Sequence, residues 1–267
     1  MLGLGNSLST SSYVGGFENN YSIEFDGTDT SLNCGTLNTY LRNVQKFTIS
    51  MWIYQDNLTS SGQNGLWGKH QNDYHRTYSF INNTGKVYFG VANGSGTTQN
   101  GHGKLQEADQ LSADTWYHLA FVYDGTTSGN ANRAKIYVNG TNKTLDFSQA
   151  IPDTTSDEST YGSNNLDIGR NETNNNNIFD GEIDEFGLWN EALDADAVRD
   201  LYNSGVPFDI SKDKNSYDNA SDLQVWYRMG DGTEGGSGTT IYDMSANSND
   251  ATMVNLTASD YNANVVS

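Results

Sequence analysis

The sequence predicts an all-β protein in which two antiparallel sheets pack as a sandwich around one core, followed by a single short helix. Three observations carry this expectation. Several segments alternate apolar and polar residues at the period of two that a half-buried strand requires. The chain holds 28 glycines but only 2 prolines, a balance that suits many short strands joined by tight turns and argues against long helices. The run 181–193, Gly-Glu-Ile-Asp-Glu-Phe-Gly-Leu-Trp-Asn-Glu-Ala-Leu, begins at strand period and then switches to helical spacing.

Taken in order, residues 1–20 are small, polar and glycine-bearing, and read as an N-terminal arm. The first strand is Tyr21-Ser22-Ile23-Glu24-Phe25, and Asp26-Gly27-Thr28-Asp29 has the composition of a turn. Residues 47–54 alternate throughout, with Phe47, Ile49, Met51 and Ile53 on one face and Trp52 and Tyr54 on the other, so both faces of this strand are expected to be covered. Further strands are expected at 86–91, 116–123, 134–138 and 165–169. Asn139-Gly140 is a hairpin signal, since both residues tolerate positive φ in a type I′ turn. After the closing strand, Asp194 is a candidate N-cap, Val198, Leu201 and Tyr202 share a helix face, and Gly205 is a candidate for the left-handed C′ position. The tail 206–267 starts with a polar stretch and continues with an apolar strand at 223–229.

Four of these motifs, in this order, resemble laminin-G-like domains of the concanavalin A-like lectin and glucanase superfamily. They are the Phe25-Asp26-Gly27 strand end, Trp116-Tyr117-His118-Leu119-Ala120, Tyr137-Val138-Asn139-Gly140 and the Ile183-Asp184-Glu185 strand with its trailing Leu201-Tyr202 helix. The resemblance covers residues 21–205 and implies a jelly-roll sandwich. The segment 223–251, with Trp226-Tyr227-Arg228-Met229-Gly230-Asp231-Gly232, is similar to a strand and loop that precede the Phe-Asp-Gly strand in many such domains. Here it follows. The resemblance therefore implies a circularly permuted sandwich, with 206–267 serving as a linker plus a strand that completes the same core.

Charge and cysteine usage narrow the function classes. The net charge of −19 repels phosphate backbones and anionic lipid, which makes nucleic acid and membrane insertion poor expectations. The single cysteine, Cys34, excludes an internal disulfide. Residues 1–14 lack the basic start and apolar run of a signal peptide, so the chain is expected to be made without Sec-type export.

Candidate chemistry is sparse. Glu182 and Asp184 lie two apart on one strand face, as in the glycoside hydrolases of the superfamily, but the position where those enzymes need a general-acid glutamate holds Phe186. Hydrolysis is not expected, and no catalytic residue is assigned. The resemblance also implies a structural Ca²⁺ held by an acid on the closing strand and an oxygen ligand from an early strand, here Asp184 and Asp26. For a glycan, Trp67, Asp73, Tyr74 and His75 form the best local cluster, because a sugar's apolar face stacks on a ring while polar side chains hold its hydroxyls.

Two readings of function follow. The leader Met1-Leu2-Gly3-Leu4-Gly5-Asn6-Ser7-Leu8, the laminin-G-like body and the tail resemble structural proteins of marine tailed bacteriophages. That resemblance implies a virion protein, a capsid-surface decoration or a tail or fibre component. Its expected partners are other virion proteins, a host-surface glycan and further copies of itself. The alternative is a free-standing bacterial carbohydrate-binding module or adhesin.

Overall fold

The alternating segment at 46–55 lies at the centre of one sheet in the computed structural model, which describes residues 17–58, 62–94, 101–172, 177–230 and 236–266. Most of the expected arm, residues 1–16, lies outside the described residues. In order across the first sheet run β10 (Thr141–Asn142), β9 (Ala134–Val138), β8 (Trp116–Asp124), β3 (Lys46–Gln55), β13 (Asp180–Trp189), β1 (Ser22–Asp26) and β18 (Tyr261–Asn262). A further strand, β14 (Leu223–Tyr227), pairs with β13. The second sheet runs β11 (Leu145–Phe147), β7 (Gly101–Leu105), β6 (Val87–Asn93), β5 (His75–Asn82), β4 (Gln63–Asn72), β12 (Leu166–Ile168), β2 (Ser31–Asn33), β17 (Ala251–Val254), β16 (Thr240–Ile241) and β15 (Gly236–Ser237). Neighbouring strands are antiparallel, as a sandwich built from hairpins and long crossovers requires.

The core follows from the alternation. Phe47, Ile49, Met51 and Ile53 of β3, Leu119 and Phe121 of β8, and Ile183, Phe186 and Leu188 of β13 face Leu66, Trp67, Ile81, Phe89 and Val91 of the second sheet. Because β13 must place both Ile183 and Phe186 inward, three residues apart, its parity changes between them. A β-bulge supplies that change: the β3 register shifts between Asp184 and Gly187, and Glu185 adopts φ 48°. Without the extra residue, the Glu185 carboxylate would point into the apolar interior.

The outer face of the first sheet is also covered. Ala120, Val122, Trp189 and Trp226 form a second apolar layer with Val198 and Leu201 of the helix Ala195–Tyr202 and with Ile210 and Tyr217 beyond it. The Asp194 side chain caps that helix by accepting from the Ala197 N–H at 2.8 Å. The C-terminal end corrects the expectation for Gly205: Asn203, at φ 47°, takes the left-handed position, and Gly205 lies in a short turn beyond it. Asparagine tolerates this conformation well enough to end the helix before the glycine is reached. The Asn139-Gly140 turn has both residues at positive φ, 49° and 72°, as a type I′ hairpin needs.

The tail adds strands to both sheets. Trp226 pairs opposite Gly187 and Ile23 opposite Ile183, so β14 and β1 lie along the same edge of β13. β17 meanwhile pairs with β2 in the second sheet.

Candidate functional site

On the outer face of the second sheet, β5 projects Arg76, Tyr78 and Phe80, while β6 projects Tyr88 and β7 His102. Register brings them together, since Phe80 lies opposite Tyr88 and Tyr78 opposite Gly90. The rings stand as a column: Tyr78 to Phe80 is 5.9 Å with 5° between planes, and Phe80 to Tyr88 is 4.4 Å with 13°. The Arg76 guanidinium extends the column, 4.2 Å from the Tyr78 centroid. Gly90 makes room for it, because a Cβ there would sit 2.3 Å from a Tyr78 ring carbon.

Two chain segments wall this column into a cleft of about 420 Å³, lined by Gln63, Arg76, Tyr78, Phe80, Asn82, Tyr88, His102, Ser148 and Gln149. That volume is in the range of small-ligand sites. On one side the segment that follows β12 crosses β4, where the absence of side chains at Gly65 and Gly68 lets the Asn171 backbone lie against the sheet; a Cβ at either would meet it at 2.4 Å. Asn171 Nδ2 donates to Gln63 Oε1 at 2.9 Å. On the other side Ser148 and Gln149 follow β11, and Ser148 Oγ lies 3.2 Å from His102 Nδ1.

The electrostatics are set by Arg76. Its Nη1 reaches Asp73 Oδ1 at 3.1 Å and Glu172 Oε1 at 3.3 Å, whereas its buried Nε has no hydrogen-bond partner among the described residues. Burial, and then the nearby Lys104 and Arg76 charges, push His102 below its usual range, so the imidazole is predominantly neutral at pH 7. The floor of the cleft is apolar, and its rim offers amides, a hydroxyl, a neutral imidazole and a guanidinium donor.

The residues expected from the sequence distribute differently. Trp67 is a correction. It is fully buried between the sheets, packed against Phe47, Phe89 and Phe121, and has no face for a sugar. Asp73, Tyr74 and His75 sit at or beside the tip of the β4–β5 hairpin. Tyr74 is exposed, His75 Nδ1 lies 2.8 Å from Ser156 Oγ, and Asp73 touches the cleft only through Arg76. The cleft residues Tyr78, Phe80, Tyr88 and His102 were missed; their signal is the alternation Arg76-Tyr78-Phe80 facing Tyr88 across a hairpin.

The structure also separates Asp26 from Asp184. Asp26 pairs opposite Asp180, four residues along β13 from Asp184, roughly 13 Å at strand rise. Asp26 Oδ1 is occupied by the Thr28 and Asp29 N–H groups and the Thr30 hydroxyl, closing its turn. Asp184 is fully buried, accepting from Asn19 Nδ2 at 2.9 Å and from the Glu185 N–H. The two acids therefore do not fit one Ca²⁺ site. Among the described residues no three His, Cys, Asp or Glu side chains converge as metal ligands do. Phe186 is in the core, so no second carboxylate faces Glu182 from that position.

Fold and cleft together define a lectin-like β-sandwich. The profile described as the concanavalin A-like lectin/glucanases superfamily matches residues 26–199, and the chain belongs to that superfamily. Among solved structures, it is similar to a putative carbohydrate-binding protein from Bacteroides ovatus ATCC 8483, with a TM-score of 0.55 and 16% identity. That match covers 94% of this chain and 60% of the other. It is also similar to the CBM40 of the Ruminococcus gnavus IT-sialidase, solved with α2,3-sialyllactose, with a TM-score of 0.50 and 15% identity over 70% of this chain and 100% of that one. No curated protein sequence matches the chain. Among the described residues, no helix is long and apolar enough to cross a membrane.

Proposed function

We propose that the chain is a non-enzymatic carbohydrate-binding module whose ligand occupies the cleft on the second sheet. The observation that carries this reading is the aromatic column at the cleft floor ringed by Gln63, Asn82, His102, Ser148 and Gln149. A pyranose presents apolar C–H faces and many hydroxyls, and this surface offers an apolar floor with donors and acceptors at its rim. The superfamily and the similar carbohydrate-binding structures support the same reading. On a broad glycan array the protein is expected to retain at least one oligosaccharide, and Tyr88→Ala is expected to weaken that binding about tenfold or more, measured by titration calorimetry. Absence of binding across the array, with the protein shown to be folded, would reject the module.

A second reading places the same sandwich in a bacteriophage particle, with glycan binding directed at the host surface and localisation in the virion. It is supported by the resemblance of the leader and tail to particle proteins, and by the way the tail holds the end of the arm. Phe17 stacks on Trp226 at 6.3 Å, and Arg228 donates to the Glu18 carbonyl. Mass spectrometry of purified particles from the producing host is expected to find the chain; particles lacking it would end this reading.

A further inference from the structure

Arg76 is the one charged side chain lining the cleft among the described residues, and it is held by two carboxylates rather than one. Asp73 and Glu172 both reach the same Nη1, which leaves that trio one negative charge before any ligand arrives. Glu172 is four-fifths buried, so its charge is poorly screened. The other charges near the column do not reverse the balance. Lys104 lies over Tyr88 at 5.8 Å but stands opposite Asp146 in the β7–β11 register, and His102 is predominantly neutral at pH 7. The Nε of the same guanidinium is buried, and the described residues give it no hydrogen-bond partner.

We propose that the cleft selects uncharged glycans over acidic ones, with Glu172 and Asp73 as the residues that set this preference by cancelling Arg76. The inference rests on the carbohydrate-binding reading above. A neutral hydroxyl or ring oxygen accepts from Arg76 at no electrostatic cost. A uronate or sialate carboxylate approaching Arg76 meets two carboxylates already held on that guanidinium and the field of a strongly negative chain. Discrimination thus comes from a built-in repulsive element rather than from a clash of shape.

The test uses the full chain at low ionic strength and two probe sets: neutral cello-, xylo-, manno- and galacto-oligosaccharides, and acidic oligogalacturonates and sialyllactoses. The expected result is binding to at least one neutral probe, with acidic probes weaker by about tenfold or more, the size a single poorly screened charge contributes at this range. Glu172→Gln is expected to narrow or invert that ratio, and added salt is expected to narrow it in the native protein. Asp73→Asn, at the exposed hairpin, serves as a second variant should Glu172→Gln unfold, which circular dichroism reports. Acidic probes binding as well as or better than neutral ones would overturn the selectivity while leaving the glycan-binding reading intact. An unchanged ratio in both folded variants would do the same. Failure of every probe to bind would bring down both.

Discussion

Arg228→Met is expected to destabilise the fold by about 3–5 kcal/mol, because it removes the cation from a buried ion pair and leaves the carboxylate in place. Glu185 is 6% exposed and Arg228 5%. The bulge in β13 turns Glu185 toward the outer layer, where its Oε1 accepts from Arg228 Nε at 3.3 Å and its Oε2 from Trp226 Nε1 at 2.6 Å. The guanidinium also lies 4.3 Å from the Phe17 ring centroid and donates to the Glu18 carbonyl. Urea denaturation of the single variant and of Glu185→Gln with Arg228→Met separates two causes. If the loss is an unpaired buried charge, the double variant recovers much of it; if it is lost packing around Phe17, the double variant stays as weak as the single. A single-variant loss below about 1 kcal/mol would show that the pair is not desolvated as described.

Glu182→Gln is expected to do the opposite and stabilise the protein at pH 8, by up to about 3 kcal/mol. Glu182 is 5% exposed; its Oε1 accepts from Asn262 Nδ2 and Asn264 Nδ2, and its Oε2 has no hydrogen-bond partner among the described residues. Burial, with the Asp56 and Glu24 charges reinforcing it and the Asn264 hydrogen bond opposing, pushes the carboxyl from 4.5 up to about 7. The neutral form is therefore preferred in the fold. Its contribution is complete below pH 4.5 and is lost as pH rises through about 7. The glutamine has no proton to lose, and its carbonyl can accept from the same two asparagines. Stability curves of the two proteins should converge near pH 4 and separate above pH 5; parallel curves across that window would exclude the buried acid as the cause.

The sandwich was legible in the sequence where one face of a strand is apolar and the strand is long. β3 and β8 show this well, and the composition of Asn139-Gly140 marked their neighbouring hairpin. β13 was legible as a strand, but its bulge was not, since nothing in Asp-Glu-Phe says that Glu185 turns outward. The cleft strands were harder to read. β4 changes parity at Gly65 and again near His70, so Leu66 and Trp67 both face the core and no clean period survives. β5 carries aromatic residues on its outer face as well as Ile81 on its inner one, and β7 is interrupted by Gly101 and Gly103. The burial of Trp67 was hidden for the same reason: a tryptophan beside a polar turn reads alike whether it faces a ligand or the opposite sheet. Pairing of Phe80 with Tyr88 across the hairpin is what separates the two, and it depends on register rather than on composition.

Asn19 Nδ2 donates to the Val266 carbonyl at 3.2 Å, so the first and last described segments meet on the outside of the first sheet, while the cleft opens from the outside of the second. A label placed on Asn19 or Val266 would therefore sit at the back of the sandwich, on the side away from the cleft.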